Sequence, residues 1–125
     1  MAGNFIWHEL LTTDAAAATD FYTEVVGWTA RDSGMPGFAY TILSNAEAMI
    51  AGLMAQPAGA TPGWIGYVAV EDTDAAAAKA VSLGGRVLHP AHDIPGVGRV
   101  ATISDPQGAA VALFRPAGEG ARVPG

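Results

Sequence analysis

Short runs of apolar and polar residues alternate along most of the chain, broken by two alanine-rich stretches. Asn4 to Thr12, Trp28 to Arg31, Phe38 to Leu43 and Ala48 to Ala55 are rich in aromatic and branched residues and bounded by turn residues, which predicts four strands. Gly34-Met35-Pro36-Gly37 and Ser44-Asn45 supply the turns between the last three. Between the first two lies Asp14-Ala15-Ala16-Ala17-Ala18, which predicts a helix from Thr13-Asp14 to about Val26. A side-chain oxygen there can accept from free first-turn amides, and alanine has the best helix propensity. Phe21, Tyr22, Val25 and Val26 fall at the spacing of one buried stripe, and Gly27 closes the helix. The predicted order is β-α-β-β-β.

The order then repeats. Gln56 to Gly63, with two prolines and two glycines, reads as a linker, followed by a strand at Trp64 to Val70. Asp74-Ala75-Ala76-Ala77-Ala78 duplicates the first alanine run and predicts a helix over Thr73 to Leu83, ended by Gly84-Gly85. Arg86 to His89, Arg99 to Ser104 and Ala109 to Arg115 complete a second β-α-β-β-β unit. The chain therefore reads as one α+β domain of two modules, about 4–55 and 64–115, with a loose tail over 116–125. Four strands carrying one helix leave an open sheet face, so neither module is expected to stand alone.

Composition narrows the function classes. Half the residues are apolar and 14% are charged, which fits a compact globule and not a disordered chain. The net charge is -6 and the six basic residues are scattered singly, so no clustered face exists for nucleic acid. With no cysteine, thiolate metal sites and cysteine nucleophiles are excluded. The longest apolar stretch, Ala48 to Ala55, is far short of the roughly 20 residues a membrane-spanning helix needs, and Met1-Ala2-Gly3-Asn4 is unlike a signal peptide. A cytoplasmic protein is the expectation.

The two modules, with Phe21-Tyr22-x-x-x-x-Gly27-Trp28 closing the first helix and Asp105-Pro106-x-Gly108 before the last strand, resemble the vicinal oxygen chelate superfamily over about residues 4 to 115. That group includes glyoxalase I, bleomycin-resistance proteins and extradiol dioxygenases. Trp7-x-Glu9-Leu10, Trp64-x-x-Tyr67 and Asp93 to Arg99 look more like its hydroxylase-like or antigen-like branch. The resemblance implies a mixed sheet curled into a cup with helices outside, a small-molecule site on the concave side, and a homodimer. It also implies where metal-using members hold a divalent ion: inward residues on the first and last strand of each module. Counted from the helices, the repeat and Gly108, those positions are Trp7, Gly52, Ile65 and Ala112, none of which can coordinate an ion. No cofactor is expected, and a divalent metal is disfavoured.

Strand alternation puts Trp7, Glu9, Gly52, Met54, Ile65, Tyr67 and Ala112 on the concave side and His8 away from it. His8 is an outside candidate for a metal ligand. Glu9 is the candidate acid or base, because burial would raise its pKa. The alternative is a structural carboxylate paired with an arginine or a backbone amide. Trp7, Tyr40, Met54, Trp64 and Tyr67 are candidates to line an apolar pocket, and each of them also suits a packed core. Arg99 is placed to reach a ligand carboxylate, or to pair with Glu9 or Glu47. His89-x-x-His92 reads as a loop because Pro90 disfavours a helix. Gly96-x-Gly98-Arg99 reads as a turn, since it lacks the lysine of a phosphate loop.

These residues suggest a metal-independent protein binding a small, aromatic or hydrophobic organic molecule. Two alternatives stand beside it. One is a lyase, isomerase or dioxygenase, using a non-standard ligand set such as His8 with Glu9 or Glu47, or Glu9 alone. The other is a purely structural domain whose cup is packed solid.

Overall fold

A computed structural model describes residues 2–118. Its elements are β1 (Phe5–Thr12), α1 (Ala15–Val26), β2 (Thr29–Asp32), β3 (Thr41–Ser44), β4 (Met49–Ala55), β5 (Gly63–Ala69), α2 (Thr73–Ser82), β6 (Arg86–Ile94), β7 (Gly98–Ser104) and β8 (Ala110–Pro116). The fold class is α+β, as the sequence indicates, and β-α-β-β-β occurs twice. Among the described residues, no helix is long and apolar enough to cross a membrane.

In the first module the strand order is β2-β3-β4-β1, with β1 parallel to β4 and the other neighbours antiparallel. The second has β5-β8-β7-β6, again with its first and last strands parallel. The compact units divide between residues 6 and 7 and between 65 and 66. The expected linker therefore goes with the first unit, where the Gln56 amide donates to the Thr12 carbonyl at 2.9 Å.

Both helices begin on an aspartate. Asp14, in extended backbone, accepts from the Ala17 amide, and Asp72 accepts from Ala75, each at 3.0 Å. Each bond satisfies one of the amides a helix start leaves unpaired. The cap of α2 is thus Asp72, and Asp74 of the repeated motif lies inside its first turn. Gly27 ends α1 at φ 85°, in the left-handed region that glycine adopts at least cost.

The core of the first module is Leu10, Leu43, Ala51 and Leu53, on which Ala15, Ala18 and Tyr22 of α1 pack together with Trp28 and Ile50. Each fully buried leucine contributes about 1.5–3 kcal/mol of transfer free energy. The stripe expected to be buried faces elsewhere: Phe21, Val25 and Val26 are 58%, 65% and 50% exposed. The small side chains of Ala15 and Ala18 let the helix lie close on the sheet. They and Tyr22 set its contact face, leaving Phe21 and Val25 on an open flank.

Two strands differ from expectation. β3 begins at Thr41, because its ladder with β2 ends at the Asp32↔Thr41 pair, and Phe38 to Tyr40 precede it. β6 runs past His89, where the strand was expected to end, and through His92, which was expected in a loop. It is the last strand of its sheet, and its register shifts between His89 and His92. An edge strand accommodates Pro90 there, since the missing amide costs no interior ladder bond. The expected tail begins with Pro116, the end of β8, and residues 119–125 lie outside the described residues.

Candidate functional site

Alternation along β1 sorts its residues. Trp7 and Glu9 are buried on one face, His8 is exposed, and Leu10 joins the helix-side core. His8 and Glu9 therefore do not share a face, and the proposed chelating pair does not form. On the Trp7 side a continuous relay connects three side chains. Trp7 Nε1 donates to Tyr40 Oη at 2.9 Å, and Tyr40 Oη donates to Glu9 Oε1 at 2.8 Å. All three residues are at least nine-tenths buried, with Tyr40 at 1% exposure. A carboxylate and a phenol taken out of water need such partners, because an unmet buried polar group costs several kcal/mol, about 2–7 by transfer measurements.

Gly52 completes this face. It pairs with Glu9 across the parallel β1–β4 ladder and with Ile42 on the other side. Met54, two residues along β4 and half-buried, lies on the same face. A Cβ built at position 52 would stand 1.8 Å from Tyr40 Oη. Glycine is what lets the phenol reach Glu9. Tyr40 falls inside the predicted strand Phe38 to Leu43 but before the observed start of β3 at Thr41, so the predicted alternation does not carry to it, and nothing in the pattern linked it to Gly52.

In the second module Tyr67 takes the ladder position that Glu9 holds in the first, pairing with Ala112 as Glu9 pairs with Gly52. Tyr67 is buried edge-on against Phe114, with ring centroids 5.8 Å apart. The buried carboxylate is thus not duplicated. Trp7, Gly52, Ile65 and Ala112 offer no side chain that can coordinate a metal, and Tyr40 leaves no room for one at position 52. These residues do not fit a divalent ion, and among the described residues no group of three or more His, Asp and Glu could hold one.

Two expected site residues belong elsewhere. Trp64, 43% exposed, donates from Nε1 to Tyr22 Oη at 3.2 Å and packs edge-on with Tyr22 and Trp28. It joins the aromatic cluster beside α1 and does not line the Trp7 face. Arg99 is gripped by carboxylates of its own module, donating from Nε and Nη2 to both oxygens of Asp74 and from Nη1 to Asp93 at 3.1 Å. Neither carboxylate is one the sequence suggested. The β7 backbone at Arg99 is held by Thr73, whose hydroxyl donates to the Arg99 carbonyl at 2.8 Å.

The Arg99 hydrogen bond, reinforced by its charge, holds the Asp74 carboxyl below the usual carboxylate range, although desolvation opposes it; Asp74 and Asp93 together raise the guanidinium pKa. A lowered carboxylate pKa stabilises the fold above the unfolded value of about 3.9. That contribution disappears as pH falls through the lower folded value. Asp74→Asn should therefore melt below wild type at pH 7, with the gap closing as acid protonates Asp74. The pair is half-exposed, so salt should narrow the gap as well. Melting curves across pH 2–7 check both.

The profile of the Glyoxalase/Bleomycin resistance protein/Dioxygenase superfamily matches residues 5–113. CFP32 of Mycobacterium tuberculosis, provisionally named a glyoxylase, is 44% identical over 117 residues, covering 92% of this chain and 45% of CFP32. The anthracycline biosynthesis protein DnrV of Streptomyces peucetius is 36% identical over 138 aligned residues, covering 95% and 50% respectively. The chain spans about half the length of these curated relatives. Among solved structures, methylmalonyl-CoA epimerase from Mycobacterium tuberculosis superimposes with a TM-score of 0.62 at 20% identity, covering 94% of this chain and 89% of the epimerase. At that identity the likeness shows the fold alone.

Proposed function

Because the chain belongs to the glyoxalase/bleomycin resistance protein/dioxygenase superfamily, we propose that it binds a small organic molecule on the face of Trp7, Glu9 and Tyr40 without a metal ion. The observation that carries this reading is the Trp7–Tyr40–Glu9 relay, which lies around Trp7 and Gly52, two positions at which the resemblance implies metal ligands. Trp7 and Met54 supply apolar surface, and Glu9 with Tyr40 supplies the polar groups that orient a ligand. A mostly apolar face with a few convergent polar groups is the usual composition of such sites.

The test is native mass spectrometry of the purified protein, with metal analysis of the same sample. A co-purified organic mass and no stoichiometric divalent ion are expected. Once that ligand is identified, Glu9→Gln should weaken its binding about tenfold, the loss of one charge-assisted hydrogen bond. A stoichiometric ion removed only by chelation would overturn the proposal.

A second reading is favoured by the 2.8 Å Tyr40–Glu9 contact, which gives a proton a direct path between phenol and carboxylate. Glu9 would then act as acid or base in a metal-free isomerase or lyase reaction. The homodimer forms part of the main proposal. The flank of Phe21, Val25 and Val26 offers apolar surface to a second copy, which would supply a mass equal to the extra half of the longer relatives. Sedimentation of the wild type against Val25→Asp checks it.

A further inference from the structure

Tyr40 and Gly52 constrain each other tightly on the Glu9 face. A Cβ at position 52 would lie 1.8 Å from Tyr40 Oη, 2.2 Å from Cζ and 2.6 Å from Cε2. Real Cβ contacts do not come below 3.0 Å, so one of the two residues would have to move. Tyr40 cannot swing aside cheaply. It is fully buried, Phe38 packs edge-on against its ring at 5.9 Å, and its hydroxyl is tied to Trp7 and Glu9. Gly52 sits in the middle of β4 with ladder partners on both sides, so its backbone is fixed as well.

Resting on the reading of a metal-free ligand site, we propose that Tyr40 and Gly52 are mutually exclusive with a metal donor on β4. The phenol fills the volume that any side chain at position 52 requires, and so closes the Glu9 face to a divalent cation. The exclusion is steric before it is chemical, since even a methyl group at position 52 meets the ring. A carboxylate or imidazole placed there in the wild-type background displaces Tyr40, breaks its hydrogen bonds with Trp7 and Glu9 and still finds no room to coordinate. Building coordination there therefore takes both changes, a shorter residue 40 and a donor at position 52. Position 40 becomes the specificity-determining residue of the face. With tyrosine, Glu9 is a hydrogen-bond partner of a phenol. With a short side chain, it lies across the ladder from whatever residue 52 presents.

A double-mutant cycle tests this without any organic ligand, so its result does not depend on whether one binds. Gly52→Ala is introduced into the wild type and into Tyr40→Leu, which keeps an apolar side chain but removes the end of the ring. Melting should fall by about 5–15 °C in the wild type, the overpacking cost for a domain of this size. In the Tyr40→Leu background it should fall by roughly a third of that or less, the difference being the coupling of the two residues. Gly52→Glu is then made in both backgrounds and titrated with Mn2+, reading the free-ion electron paramagnetic resonance signal. Mn2+ binding at least about tenfold tighter in Tyr40→Leu/Gly52→Glu than in Gly52→Glu alone is expected, with two carboxylates then on neighbouring strands. Equal melting losses for Gly52→Ala in both backgrounds would overturn the exclusion, as would equal Mn2+ affinity with Tyr40 present. Should Gly52→Glu alone fail to fold, the alanine cycle decides.

Discussion

Tyr40→Ala is expected to destabilise the protein by about 3–5 kcal/mol, the range for removing a fully buried aromatic side chain. Tyr40→Phe keeps the ring and removes only the hydroxyl, so it isolates the relay. It takes away the acceptor of Trp7 Nε1 and a donor to the Glu9 carboxylate, at an expected cost of about 1–3 kcal/mol. Urea unfolding followed by far-UV circular dichroism measures both, with the slope unchanged if the folded state stays compact. The ordering carries the argument. If the phenylalanine variant were as stable as wild type, the relay would contribute nothing and Tyr40 would be filler alone. If Tyr40→Phe keeps most of the stability but loses affinity for the co-purified molecule, the hydroxyl acts in recognition as well as in folding.

The elements of both modules were legible because each rests on a local signal: alternation for strands, alanine after a capping residue for helices, glycine for their ends. The alternation of β1 went further and separated Trp7 and Glu9 from His8, which is a statement about the site. What stayed illegible was contact between segments. Tyr40 lies within the predicted strand Phe38 to Leu43 but before the observed one, which starts at Thr41, so the predicted alternation does not give its facing, and Gly52 looks like one more small residue in a run of apolar ones. Their fit exists only once β1, β3 and β4 are side by side. Arg99 misled for a related reason. Its partner Asp74 lies in the first turn of α2, which Asp72 caps, and the pairing joins residues 25 apart in sequence that no local pattern links. The apolar stripe of α1 failed because its period fits more than one face. Only the alanines, through close approach, select the one that is buried.

Gly98→Ala is expected to cost about 3 kcal/mol or more, combining overpacking with backbone strain. In sequence, Gly98 belongs to a glycine-rich segment whose composition hints at an anion loop, and the structure gives the glycine a different purpose. It opens β7 opposite Pro116 at φ 157°, and a Cβ there would stand 2.3 Å from the Arg115 carbonyl oxygen and 2.8 Å from the Phe114 ring. Phe114 has no exposure, so it cannot yield without disturbing the core of the second module, including the ring of Tyr67 against it. Gly96 is the internal control. It also has positive φ, at 75°, but nothing lies within 4 Å of its would-be Cβ. Gly96→Ala should therefore cost only the left-handed penalty, about 1–2 kcal/mol. Thermal unfolding of the two variants side by side separates backbone from packing, and the larger loss at Gly98 is the packing. Equal losses would remove Phe114 and Arg115 as the reason for that glycine. The expected inequality makes Gly98 a close-approach residue that lets β7 lie against β8.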